Sequence, residues 1–112
     1  MCQNIKENEL NFEELTTPEA IKNAIDQELA GLEKDYENLK KFKKFAESLD
    51  SVLHEHPELK EESQRLKELI KHEIEVYKRY LLAVSTQTIL FTHEQKEKFH
   101  NLSARPIPEL KE

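Results

Sequence analysis

The sequence has 112 residues, of which 37% are hydrophobic and 36% charged, and its formal net charge is −6. Its single glycine excludes the phosphate-binding and dinucleotide-binding loops, which need several glycines, and the GxSxG turn that exposes a catalytic serine. A net negative charge is the wrong sign for a protein that grips a phosphate backbone, so no nucleic-acid partner is expected. The length and composition predict one helical domain without enzymatic activity.

Cys2 is the single cysteine, so the chain cannot form an internal disulfide or a thiolate pair for a metal. The first twenty residues lack the apolar run of a secretory signal, and no later segment approaches the roughly 18 apolar residues needed to span a bilayer. We therefore expect a cytoplasmic protein without a membrane span. The alternative is a lipoprotein anchored through Cys2, because Met-Cys followed by polar residues also begins a lipoprotein that lacks its signal.

Residues 1–16 form an acidic, polar N-terminal arm. Its few apolar anchors are Ile5, Leu10, Phe12 and Leu15. Thr17-Pro18-Glu19 then predicts the start of a helix, because it combines a capping hydroxyl, a proline that fits the first helical position and an acid near the positive helix end. Apolar residues follow at steps of three and four, which predicts one helix over Thr17–Leu53 with a single apolar face that includes Leu39, Phe42, Ala46 and Leu49.

The segment His54–Pro57 interrupts this pattern, because the residue before a proline is disfavoured in the helical region. Helical spacing resumes at Leu59 and predicts a second helix that runs to about Leu90. A short connection favours an antiparallel hairpin, in which facing positions sum to roughly 111.

The hairpin register also predicts which charged side chains meet. The facing sets of opposite charge are the Lys40–Lys44 run with Glu68, and Glu33 and Glu37 with Lys78 and Arg79. Pairs of this kind at the surface are worth only a few tenths of a kcal/mol each.

Thr92-His93-Glu94-Gln95 matches a capping box and predicts a short third helix from His93 to about Leu102. The prolines at 106 and 108 cannot continue a helix, so an extended tail is expected at residues 103–112. The predicted organisation is therefore the arm at 1–16, a helical hairpin domain at 17–102 and this tail.

The fold class is predicted to be all-α, a long antiparallel hairpin with a short third helix. The predicted apolar seam between the helices is Leu32, Tyr36, Leu39, Leu66, Ile70, Ile74 and Tyr77. Apolar residues outside this seam are Phe45, Val52, Leu69, Val76, Tyr80 and Leu82. Leaving six such side chains in water loses on the order of 10 kcal/mol, so we expect two hairpins to form a homodimeric four-helix bundle. The alternative is a monomer in which the third helix and the arm cover this surface.

Residues 80–92 carry no charge and form the most apolar segment. One interpretation buries them against the first turns of the first helix, and the other exposes Ile89, Leu90 and Phe91 as a groove for a partner's amphipathic helix. The candidate contacts to a second chain are Tyr80, Leu82, Leu90 and Phe91. Gly31 is expected at the helix surface rather than at a close helix contact.

His93, Glu97 and His100 would lie on one face of the third helix, and Glu97-x-x-His100 is similar to one element of a di-iron bundle. Such sites need a second Glu-x-x-His, which the sequence lacks, so no metal or cofactor is expected. The sequence predicts a protein–protein interaction module, adaptor-like or chaperone-like, that self-associates and binds an amphipathic segment of a partner. The alternative is a small metal-binding or sensory bundle that uses these three residues.

Overall fold

A computed structural model describes residues 17–110, which contain three α-helices and no strand. The helices are α1, Pro18–Val52, α2, Lys60–Ser85, and α3, His93–Ala104. Two 3₁₀ turns, Pro57–Leu59 and Thr88–Leu90, lie between them. With 84% of the structure helical, the prediction of an all-α fold is confirmed.

The predicted limits of the first helix agree with the structure to within one residue. At its start the Thr17 hydroxyl oxygen accepts a hydrogen bond from the Ala20 amide at 3.1 Å, as expected of a capping residue. At its end the Val52 carbonyl accepts from the amides of Glu55 and His56 at 3.2 and 2.9 Å, and these bonds close the last turn before Pro57.

The second helix ends at Ser85, so the prediction that it continues to Leu90 was wrong. The hydroxyls of Ser85, Thr86 and Thr88 each donate to the carbonyl three residues earlier, at 2.6, 2.7 and 3.1 Å. Such local bonds offer the backbone an alternative to a continued helix, and apolar periodicity does not register them.

The described residues divide into two compact units, and α1 and α2 each contribute to both. The three-helix unit contains residues 17–34 and 80–105, and the turn unit contains residues 35–79 and 106–110. The buried apolar residues of the three-helix unit are Ile25, Leu29, Leu32, Val84, Phe91, Phe99 and Leu102. Phe91 and Phe99 pack edge to face with ring centroids 5.9 Å apart, a favourable aromatic geometry.

Gln95 connects α3 to α1 within the three-helix unit. Its side-chain oxygen accepts from the Thr92 amide at 2.9 Å and its own amide donates to the Thr92 hydroxyl, so the predicted capping box is confirmed. The Gln95 side-chain nitrogen also donates to the Lys22 carbonyl and to Asp26 Oδ1, at 2.9 and 2.8 Å. This side chain is only 3% exposed, so α3 is held on α1 by a buried polar group whose bonds are satisfied.

Gly31 lies at a close contact, contrary to the expectation of a surface position. A Cβ added at Gly31 would come within 3.1 Å of the Tyr80 hydroxyl oxygen, and this hydroxyl donates to the Glu28 carbonyl at 3.4 Å. The missing side chain therefore makes room for the tyrosine of α2.

In the turn unit the second part of α1 and the first part of α2 pack antiparallel. The buried apolar residues there are Tyr36, Leu39, Ala46, Ile70, Ile74 and Tyr77. The rings of Tyr36 and Tyr77 lie 6.1 Å apart, and the Ser63 hydroxyl donates to Asp50 Oδ1 at 3.0 Å. Both pairs agree with the predicted register to within about half a helical turn.

The predicted pairing of surface charges between the helices was wrong. The observed partners are Lys40 for Glu37 at 3.8 Å, Glu75 and Glu109 for Lys78 at 3.6 and 3.5 Å, and Arg105 for Glu33 at 3.1 Å. Within residues 17–110 no ion pair joins Glu68 to the Lys40–Lys44 run. Long side chains at the surface take the nearest opposite charge, often on their own helix, so exposed charges do not set the register.

Asp50 of α1 bonds two side chains of α2 near the connection between these helices. Lys67 Nζ lies 2.9 Å from Asp50 Oδ2, and the Ser63 hydroxyl bonds the other carboxylate oxygen. The hydrogen bond from Lys67 holds the pKa of the Asp50 carboxyl below its ordinary value of 3.8, with support from Ser63 and against the opposing effect of burial.

We expect the lowered pKa of Asp50 to make part of the free energy of unfolding depend on pH in the acidic range. Above the ordinary value of 3.8 the pair stabilises the fold fully, and its contribution is lost as the pH falls through the lowered pKa, because the unfolded chain binds the proton first. Urea unfolding followed by circular dichroism should show that the wild type loses more unfolding free energy than Asp50→Asn between pH 7 and about pH 3. Equal losses in the two proteins would contradict a lowered pKa.

We also expect Gln95→Ala to reduce the free energy of unfolding by about 1 to 3 kcal/mol, because it removes the bonds of this buried side chain to the Lys22 carbonyl, to Asp26 and to the capping amide of Thr92. Urea titration gives the free energy, and hydrogen exchange should show loss of protection in α3. The control is Lys96→Ala, at an exposed position of the same helix. A loss no larger than that of the control would show that Gln95 does not hold α3.

Candidate interaction surface

The turn unit exposes a second apolar stripe of α1 beside the buried one. We call Phe42, Phe45, Leu49 and Val52 the outer stripe; they follow one another at steps of three, four and three. Phe42 is 42% exposed, Phe45 61% and Val52 39%, whereas Leu49 is half-buried. Such spacing keeps four side chains on one face over three helical turns.

The residues that follow α3 cover another side of the turn unit. The Tyr36 hydroxyl donates to the Pro106 carbonyl at 2.8 Å, Lys78 Nζ lies 3.5 Å from Glu109 Oε1, and Pro108 is buried. An open groove of about 330 Å³ remains between this tail and α1, lined in part by three lysines of the Lys40–Lys44 run. The tail therefore packs against the helices without covering the outer stripe.

Leu69 of α2 extends the uncovered surface. It is 63% exposed, and the pairing of Asp50 with Ser63 places it level with Phe45. Leu69 lies two and a half helical turns before Lys78, so it points away from the side of α2 on which Lys78 meets the tail. The outer stripe and Leu69 thus form one apolar surface on the side opposite the tail.

The residues predicted to form the seam between the helices lie in the interior of the single folded chain. Leu32, Tyr36, Leu39, Ile70, Ile74 and Tyr77 are buried and Leu66 is half-buried. Phe42 was placed on the buried face of the first helix by its spacing, and its exposure corrects that assignment. The signal that could have found the outer stripe is its own repeat at 42, 45, 49 and 52, which runs beside the buried repeat.

The predicted contacts to a second chain separate into two groups. Leu82 is 69% exposed and Leu90 39%, so both lie at the surface of the three-helix unit. Phe91 is 7% exposed against Phe99, and Tyr80 is half-buried with its hydroxyl bonded within the same unit. Phe91 therefore belongs to the interior, and the interpretation of residues 89–91 as an open groove was wrong for this residue.

His93, Glu97 and His100 are exposed on α3. In the part of the chain that the structure describes, no three His, Cys, Asp or Glu side chains are grouped so that they could hold a metal ion. In the same part, no helix is both long and apolar enough to cross a bilayer.

Comparison with known proteins finds no matching family model, no similar curated protein and no similar solved structure. The outer stripe and Leu69 are therefore interpreted from their geometry.

Proposed function

We propose that the protein is a non-enzymatic interaction module, adaptor-like or chaperone-like, and that its outer stripe and Leu69 bind a second copy of the chain. The observation that carries this proposal is the exposure of four large apolar side chains side by side in the turn unit. Single exposed apolar residues are ordinary at protein surfaces, whereas a contiguous set of this size marks an interaction surface.

The area of the surface supports a specific dimer. Taking about 200 Å² for a large apolar residue, the exposed fractions of Phe42, Phe45, Val52 and Leu69 amount to about 400 Å². A stable interface of ordinary size buries about 800 Å² on each partner, of which somewhat more than half, about 450 Å², is apolar. One face of the turn unit therefore supplies nearly the apolar area that each half of a dimer requires.

The described parts of the chain that could act as a cover are engaged elsewhere. In the three-helix unit α3 is bonded through Gln95 to Lys22 and Asp26. In the turn unit the tail lies on Tyr36 and Lys78, on the side away from the stripe. A second copy would cover the apolar surface that remains in the turn unit without rearranging either contact.

We expect the wild type to have twice its 13.3 kDa mass at micromolar concentration, as measured by light scattering after gel filtration. Phe45→Glu should raise the dimer dissociation constant by at least about 100-fold, because a two-fold dimer loses this aromatic contact twice and buries two charges. The control is Leu82→Glu in the three-helix unit, which adds the same charge at a 69% exposed position and should stay dimeric.

Circular dichroism should show that both variants remain helical, because neither altered side chain is buried in one chain. A wild type that stays at the mass of one chain up to about 100 μM would contradict self-association. A Phe45→Glu variant as dimeric as Leu82→Glu would show that the stripe is not the interface.

A further inference from the structure

We infer that the two copies pair their α1 helices antiparallel, about a two-fold axis near Ser48; this inference rests on the proposed self-association. The order of side-chain sizes along the outer stripe favours this direction. Phe42 and Phe45 occupy its first half, and the smaller Leu49 and Val52 its second half. The stripe is therefore uneven in bulk along its length.

An antiparallel pairing evens out this difference. Phe42 then faces Val52 of the second copy and Phe45 faces Leu49 of the second copy, so each of the four layers joins a large side chain to a smaller one. A parallel pairing places phenylalanine against phenylalanine in two layers and a smaller side chain against its own copy in the other two. Close packing at constant interhelical distance requires similar volumes in every layer, which the antiparallel pairing provides.

The charges that border the stripe give an independent argument. Lys41 and Ser48 are exposed and lie seven residues apart on the outer edge of α1, and exposed Glu55 follows in the turn after this helix ends at Val52. Within residues 17–110 neither Lys41 nor Glu55 has an ion-pair partner in its own chain. With the two-fold axis near Ser48, the antiparallel register brings Lys41 level with the turn that carries Glu55 of the second copy, and by symmetry this approach occurs twice. In a parallel pairing the two side chains stay about 21 Å apart along the axis.

The position of α2 agrees with the same geometry. An antiparallel pair of α1 helices places the two α2 helices on one side of the contact, opposite the edge that carries Lys41 and Glu55. Half-buried Leu66 and exposed Leu69 then face the second copy near the two-fold axis. Two turn units associated in this way form a four-helix arrangement with both tails outside it.

Thiol-specific cross-linking of the full chain tests the direction of pairing. In a Cys2→Ala background, so that the new cysteine is the only thiol, Ser48→Cys should give a covalent dimer with a short bifunctional maleimide. Lys41→Cys, on the same edge of the helix, should not, because the two positions are about 21 Å apart along an antiparallel pair. A parallel pairing places each residue beside its own copy and would give cross-links at both positions, so efficient cross-linking at Lys41→Cys would overturn the antiparallel register.

A charge exchange tests the pairing of Lys41 with Glu55. Lys41→Glu alone and Glu55→Lys alone should each raise the dimer dissociation constant by about tenfold at low salt, because like charges then meet twice. The double variant should return to within about threefold of the wild type, which a merely local effect on α1 would not produce. A wild type that is dimeric, with no rescue in the double variant and no cross-link at Ser48→Cys, overturns this geometry and leaves self-association standing. A monomeric wild type overturns both.

Discussion

The structure depends on one constraint: α1 carries two apolar stripes, and α2 covers only one of them. Tyr36, Leu39 and Ala46 are buried against α2, whereas the outer stripe begins at Phe42, roughly 40 to 120° further around the same helix. One antiparallel partner covers a limited arc of a helix surface. The tail covers an arc on the opposite side, so the outer stripe is left at the surface of the turn unit.

Hydrogen bonds of polar side chains determine how the helices align within each unit, which apolar contacts alone leave undetermined. Each unit contains a buried polar side chain that is only 3% exposed and is bonded to an aspartate of α1: Gln95 in the three-helix unit and Ser63 in the turn unit. A slip of one residue would break these bonds and leave a buried group without a partner, at a cost of about 1 to 3 kcal/mol. Apolar side chains alone accept such a slip more readily, because a leucine packs against many neighbours.

The sequence predicted the helices better than it predicted their surfaces. The start of α1 at Pro18 and the capping box at Thr92 follow from local chemistry, and both were predicted within a residue. The early end of α2 was missed because it depends on hydroxyl bonds of Ser85 and its neighbours. Exposure of Phe42 was missed for another reason: spacing shows which residues share a face, but not how wide a face the partner covers.

The outer stripe is not explained by the stability of one chain. Phe45 is 61% exposed, so most of its apolar area gains nothing from folding, and phenylalanine favours a helix less than lysine or glutamate does, by a few tenths of a kcal/mol. Polar residues fill the bordering positions Lys41, Ser48 and Glu55, and nothing in the backbone prevents the same at Phe45. The free energy that this side chain loses by lying in water is recovered when a second apolar surface covers it. The exposure of the outer stripe thus supports the proposal that it is a binding surface, whose width would be set by what binds rather than by the fold of the single chain.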